Sequence, residues 1–151
     1  MPWLPTDFDH PTRLDLGSGF HLRPIAADDV DIDHPAVLGS RDRLWSIYGA
    51  AWGWPPATMT VEQDRDDLAH HAEEIAAHIA FNYAVLDAAE SQLVGCVYID
   101  PAGDAEPDVD AVVSWWVIDE LVGSELEREL GDVVPEWLTT TWGFGSVRYG
   151  V

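Results

Sequence analysis

Lysine is absent from this 151-residue sequence, and its seven basic side chains are all arginine. They stand against 28 Asp and Glu, for a formal charge of -21 at pH 7. Nucleic acid and anionic membrane both attract proteins through clustered positive charge, so neither is an expected partner. Cysteine occurs once, at Cys96, which excludes an intrachain disulfide and any metal site built from several thiolates; no metal is expected. No run reaches the ~18 apolar residues that a membrane span needs. The opening MPWLPTDFDHP has neither the basic start nor the apolar stretch of a secretion signal. A cytoplasmic protein is the expectation.

What the sequence does hold is enough apolar material for a core: 47% of its residues are hydrophobic, with eight tryptophans among them. A single domain of this length buries ~70% of its unfolded surface. The acids are scattered over polar helix faces and loops, whereas a disordered acidic tail would gather them in a block with few aromatics. An acid-coated folded surface follows. Such a coat repels itself in dilute buffer and is tolerated at 1 M salt, where the Debye length falls to ~3 Å. The coat and the lack of lysine together resemble proteins of salt-accumulating cytoplasms.

Along the chain, residues 1–12 are rich in Pro and Asp and show no periodicity, which predicts an extended arm before one domain spanning 13–151. In LDLGSGFHLRPI, apolar residues alternate on both sides of a Gly-Ser-Gly turn, a hairpin signal that Pro24 closes. Apolar positions from Pro35 to Tyr48 keep helical spacing, with Pro35 suited to a first helical turn. A loop with Trp52 and Trp54 follows. Thr60 and Gln63 then have the spacing of a capping box, and Leu68, Ala72, Ile75, Ala76 and Ile79 form one stripe of a second helix.

Three strand candidates come next, at 81–87, 92–100 and 110–118, each rich in β-branched and aromatic residues. The short connection between the first two predicts an antiparallel pair. Beyond a turn at Gly123, the residues Leu126, Leu130, Val133, Val134, Trp137 and Leu138 repeat at helical spacing. Gly131 and Pro135 should kink or split that helix, since an interior proline costs ~3 kcal/mol. GFGSVRYGV reads as a last strand.

The order β-α-α-β-β-β-α-β, the stretch FHLRPIAADD and the passage SWWVIDELVGSEL resemble the GNAT superfamily of acetyl-CoA-dependent N-acyltransferases, over residues 14–151. The resemblance implies an α/β (α+β) fold: a mixed, mostly antiparallel sheet flanked by about three helices. It also implies acetyl-CoA as co-substrate and an amine of a small molecule or peptide as acceptor. In the family, backbone after the fourth strand holds the pantetheine, and a turn of pattern Arg/Gln-x-x-Gly-x-Gly/Ala wraps the pyrophosphate. That pattern falls on Val122, Gly123, Ser124, Glu125, Leu126 and Glu127. The basic or amide position is thus Val122 and both glycine positions are glutamate; Gly123 matches a further glycine often found in this turn.

The resemblance assigns cofactor contacts to Trp116, Val117, Gly123 and Ser124, and an acceptor pocket to Tyr48, Trp52, Trp54, Asn82, Tyr98 and Trp115. Two readings stay open. One is an N-acetyltransferase with a backbone N–H near Val117 facing the developing oxyanion. The other is a non-catalytic ligand-binding or interaction domain that has lost coenzyme A, possible as a homodimer through sheet pairing, in which Ser124 and Glu127 simply cap the helix. The family continues past its fifth strand, often bringing a tyrosine acid toward the leaving thiolate, whereas this sequence ends at Val151 with Tyr149 inside the last strand; no catalytic base is assigned. His70, Glu74 and His78 share one polar helix face, the outer two ~12 Å apart and too distant for one metal ion; a solvated face is expected. Cys96, mid-strand, reads as a small buried hydrophobe.

Overall fold

The computed structural model describes residues 3–151. Its centre is one six-stranded sheet whose strands lie side by side in chain order: β1 (Leu14–Asp15), β2 (His21–Pro24), β3 (Phe81–Leu86), β4 (Leu93–Pro101), β5 (Ala111–Val117) and β6 (Val147–Tyr149). Each neighbouring pair is antiparallel except β5 and β6. A parallel pair needs a crossover, and the helix α4 (Glu125–Thr140) supplies it. Between β2 and β3 run α1 (Val30–Gly39), α2 (Arg41–Trp52) and α3 (Val61–Ala76).

The register sorts side chains into two faces. Asn82, Tyr98 and Ser114 are cross-strand partners, as are Ala84, Cys96 and Trp116; these point toward α1–α3, where Tyr48 Oη donates to Ser114 Oγ at 3.1 Å. The alternate residues point toward α4, where Tyr83 meets Trp137 edge-on with ring centroids 5.1 Å apart. The fold is therefore helices, sheet, helix. No helix among the described residues is long and apolar enough to cross a membrane.

Four helices replace the three expected. The stretch read as one helix from Pro35 to Tyr48 is two, and the first begins five residues earlier, with Pro35 inside it. Val30, Asp33 and Val37 face inward at i, i+3 and i+7; the acid in that stripe hid the pattern. The chain bends at Ser40, whose N–H donates to Val37 O and whose Oγ accepts the Asp119 N–H at 2.9 Å. The expected split of α4 does not occur, and it runs unbroken through Gly131 and Pro135. The carbonyl that the Pro135 ring crowds is that of Gly131, four residues back in the chain, and Gly131 is an exposed residue. Gly143, at φ +76°, ends the helix region in a left-handed turn. Ile79 lies beyond α3 and is exposed.

The first two of the twelve N-terminal residues lie outside the described ones. From Trp3 on, the segment lies against the core: Trp3 Nε1 donates to His78 O at 2.7 Å, Leu4 is buried, and Phe8 packs on Trp142.

Candidate functional site

A cavity of about 620 Å³ opens between α2, α3 and the sheet. Trp52, Trp54, Phe81 and Tyr98 are its aromatic lining, with Tyr48 buried behind them. Tyr48, one turn before Trp52 on α2, stacks on that indole at 4.5 Å, and Trp52 in turn meets Tyr98 edge-on at 5.1 Å. Trp54 packs within 6.4 Å of both Tyr98 and Trp116. The polar ends of this group bond among themselves: Trp116 Nε1 donates to Tyr98 Oη at 2.9 Å. Burial lifts the Tyr48 and Tyr98 hydroxyls above the ordinary tyrosine range, so both stay protonated. Cys96 is buried beside them with its thiol pKa pushed well up by burial; it is no nucleophile.

Carboxylates line the rest of the cavity. Asp33 of α1 and Asp64 of α3 are 3% and 2% exposed. Burial raises the pKa of both, and the neighbouring Asp64 carboxyl raises that of Asp33 further; two carboxyls so placed disfavour each other's ionisation. Asp64 Oδ2 and Asn82 Oδ1 remain buried with no hydrogen-bond partner. Asp67 is raised by burial as well, and Asp100 is pushed to about 6 by burial and by the charge of Glu74. Glu74 lies 3.5 Å from His71 and 3.6 Å from His70. Burial lowers the His71 pKa, partly opposed by Glu74 and Asp67. The one arginine on the lining, Arg148, is paired to Glu106 at 2.8 Å.

On the outer side of β5 the strand opens. β6 accompanies it only over Ala111–Val113, and from Ser114 to Val117 that side has no strand neighbour. The Ile118 N–H donates to Val94 O on β4, so alternation turns the backbone of Trp115 and Val117 to the open side. The guanidinium of Arg43, held by Asp119 Oδ1 at 2.6 Å, reaches over to donate to Val117 O.

The turn after β5 leads to the start of α4, where Gly123 sits at φ +77°. Ser124 Oγ accepts the Glu127 N–H at 3.4 Å, as the capping spacing implies, but the reciprocal bond differs. Glu127 Oε1 takes the Gly123 N–H at 2.8 Å, while the Ser124 N–H goes to Leu121 O. Glu129 closes the same corner, accepting the Gly17 N–H at 2.5 Å, the Ser18 N–H at 3.1 Å and the Ser18 hydroxyl.

These parts bear on coenzyme A directly. The open edge of β5 suits an amide-bearing arm, and the α4 N-terminus, whose amides at Glu125 and Leu126 have no partner within any α-helix, suits phosphate. Of the contacts expected from sequence, Val117 at the open edge and Gly123 in the turn are placed to hold such a group, whereas Trp116 is buried with its backbone toward β4 and the Ser124 N–H is taken by Leu121 O. The Gly123 N–H that such a phosphate would use is held by the Glu127 carboxylate at 2.8 Å.

Of the pocket residues expected from sequence, Tyr48, Trp52, Trp54, Asn82 and Tyr98 come together on the α2 side of the sheet. Trp115 does not join them: it points to the α4 face and meets Tyr149 at 5.8 Å. Sequence reasoning missed the carboxylates. The available signal was an acid inside an apolar stripe, Asp33 between Val30 and Val37 and Asp64 one turn before Leu68. Glu74, expected on a solvated face with His70 and His78, lines the cavity instead. His78 has left the helix to bond His10 at 3.0 Å.

No protein-family model and no curated protein matches this sequence. Solved structures match its fold. The ribosomal-protein-S5-alanine acetyltransferase from Vibrio fischeri superposes with a TM-score of 0.66 at 17% identity, covering 85% of this chain and 68% of that one. The ribosomal L7/L12 alpha-N-protein acetyltransferase RimL, in complex with coenzyme A, gives 0.65 at 14%, covering 83% and 67%. A chimera of the spermidine N-acetyltransferase SpeG from Vibrio cholerae and hSSAT gives 0.61 at 14%, covering 87% and 69%.

Proposed function

From a chain that has the GNAT acetyltransferase fold, we propose an N-acetyltransferase that moves an acetyl group from acetyl-CoA to an amine held in the acid-lined cavity. The observation that carries the reading is the open stretch of β5 with that cavity beside the same strand, reaching Val112 of β5 and Arg148 of β6. When bound, acetyl-CoA supplies a thioester whose acetyl group a neutral amine can take up.

The chain's own residues do the rest. The open-edge N–H groups of Trp115 and Val117 are donors for a carbonyl oxygen in the cleft. The aromatic wall of Trp52, Trp54 and Tyr98 keeps water from the amine. Asp100, with its pKa pushed to about 6, is the cavity carboxylate best poised to accept the ammonium proton, since a base works best near the operating pH. The neighbours in fold acetylate amines by their printed names, which agrees with this acceptor class.

A second reading has its own support. Glu127 on the Gly123 N–H and Arg43 on Val117 O occupy groups a cofactor would use, as expected of a ligand-binding domain that has lost coenzyme A. Isothermal titration of acetyl-CoA decides between the two. The enzyme reading expects one-site binding in molar KCl, weaker in dilute buffer. There, removing one charge ~5 Å from a phosphate, by Glu127→Gln, tightens binding about fourfold. Absence of heat for wild type, Glu125→Gly and Glu127→Gln in both buffers overturns it and leaves the binding domain.

A further inference from the structure

Unmet hydrogen-bonding capacity in the acid-lined cavity is all of one kind. Its two buried, unpartnered side-chain atoms, Asp64 Oδ2 and Asn82 Oδ1, both accept once Asp64 gives up its proton, and an ammonium group brings three donors. Along α3 the residues Asp64, Asp67, His71 and Glu74 recur at i, i+3, i+7 and i+10, one face of a helix, and the 1.5 Å rise makes that face ~15 Å long. The acids form two stations on it. At one, Asp64 and Asp67 stand with Asp33 of α1; at the other, Glu74 stands with Asp100 of β4. Trp52 and Trp54 line the same cavity, and their ring faces attract organic cations and accept methylenes.

Building on the acetyl-acceptor reading, we infer that the cavity binds an aliphatic oligoamine with at least two ammonium groups, one at the Asp33–Asp64–Asp67 station and one beside Glu74 and Asp100. A single ammonium would leave one station bare. A metal ion fits less well, because among the described residues no three His, Cys, Asp or Glu side chains converge on one point. Carboxyls buried as Asp33 and Asp64 are ionise only against a counter-charge, and Arg148, the only arginine on the lining, already serves Glu106.

Proton traffic follows. Around the Asp33–Asp64 pair stand Asp29, His34, Asp67 and His71, and around Asp100 stands Glu74. The empty cavity holds protons on carboxyls that burial has made less acidic, and an arriving ammonium expels them. Affinity therefore rises with pH through about 6 as Asp100 ionises.

The test is isothermal titration of the full chain without acetyl-CoA, in 0.5 M KCl, with spermidine, 1,4-diaminobutane, n-butylamine and magnesium chloride, in two buffers of different ionisation enthalpy. Expected are one-site binding of spermidine and the diamine at least tenfold tighter than butylamine, with proton release. A loss of tenfold or more is expected in both Asp64→Asn and Asp100→Asn, and no change in Asp132→Asn on the exposed face of α4. Asp100→Asn keeps the test valid should Asp64→Asn unfold. Butylamine or magnesium binding as tightly as spermidine, or spermidine binding that both cavity variants leave unchanged, overturns the inference. Spermidine binding with no acetyl transfer to any amine removes the enzyme reading and leaves this one; acetylation of monoamines without oligoamine binding does the reverse.

Discussion

Asp100 and Glu90 show how one side-chain type is driven in opposite directions by its surroundings. Folding raises the Asp100 pKa from 3.8 to about 6, so the stability tied to its neutral form is complete below pH ~4 and is lost as pH rises through about 6. A shift of roughly two units corresponds to ~3 kcal/mol. Asp100→Asn is therefore expected to be more stable than wild type at pH 8, by about 2–3 kcal/mol, and nearly equal at pH 4. Urea titrations at the two pH values check this, and equal stability at pH 8 would remove the burial argument. Glu90 is lowered to about 2 by Arg23 and by His21, which is 2% exposed and 2.7 Å from it. Its contribution is present above pH ~4.5 and fades as pH falls toward 2. Because Glu90 is a third exposed, Glu90→Gln is expected to cost about 1 kcal/mol at pH 7, read from the urea midpoint, and less at pH 2.5.

At the scale of elements, the corner after β5 depends on α2. Ser40, 1% exposed, gives the Asp119 N–H its acceptor, and Arg43 ties Asp119 and Val117. Ser40→Ala leaves that amide without its partner, at ~1–2 kcal/mol, and faster hydrogen exchange at Asp119 is the direct readout. Gly95 on β4 is required by the close approach of Trp116 O, where an added Cβ would collide with backbone. Gly95→Ala has to push β5 outward, which closes or tilts the open edge that the proposed reaction uses. In α4, Pro135 forgoes a helical hydrogen bond. Pro135→Ala is expected to stabilise by about 2 kcal/mol, the helix gain of ~3 less ~1 for a looser unfolded chain; a lowered melting temperature would mean that the ring's packing outweighs the lost bond.

The whole molecule carries 21 net negative charges on 151 residues. Five of its seven arginines are engaged in ion pairs with carboxylates, which leaves most acids facing only other acids and solvent. Self-repulsion of that kind is long-ranged in dilute buffer and short-ranged in concentrated salt. Raising KCl from 0.1 to 2 M is expected to stabilise the fold by about 2 kcal/mol, roughly 4–8 °C in melting temperature. A melting temperature that is flat or falls with KCl would show that the acid coat is neutral to stability. The same screening weakens oligoamine binding at the surface more than in the cavity, where water is scarce, so one-site stoichiometry should sharpen as salt rises.

Strands β3, β4 and β5, the capped start of α3, the long stripe of α4 and the acid coat were legible in the sequence, because burial periodicity and capping are set by residues a few positions apart. Tyr48, Trp52, Trp54, Asn82 and Tyr98 were legible as a group once the order of elements pointed to an acetyltransferase-like fold. Tertiary structure alone decided the rest. Asp33, Asp64 and Asp100 become one cavity only when α1, α3 and β4 pack, and Trp115 faces away because strand register sends neighbours to opposite sides. Glu127 takes the Gly123 N–H and Arg43 the Val117 carbonyl because folding brings them within reach. Charge acts on whatever lies nearby in space, and which groups lie nearby is settled by packing between elements far apart in the chain.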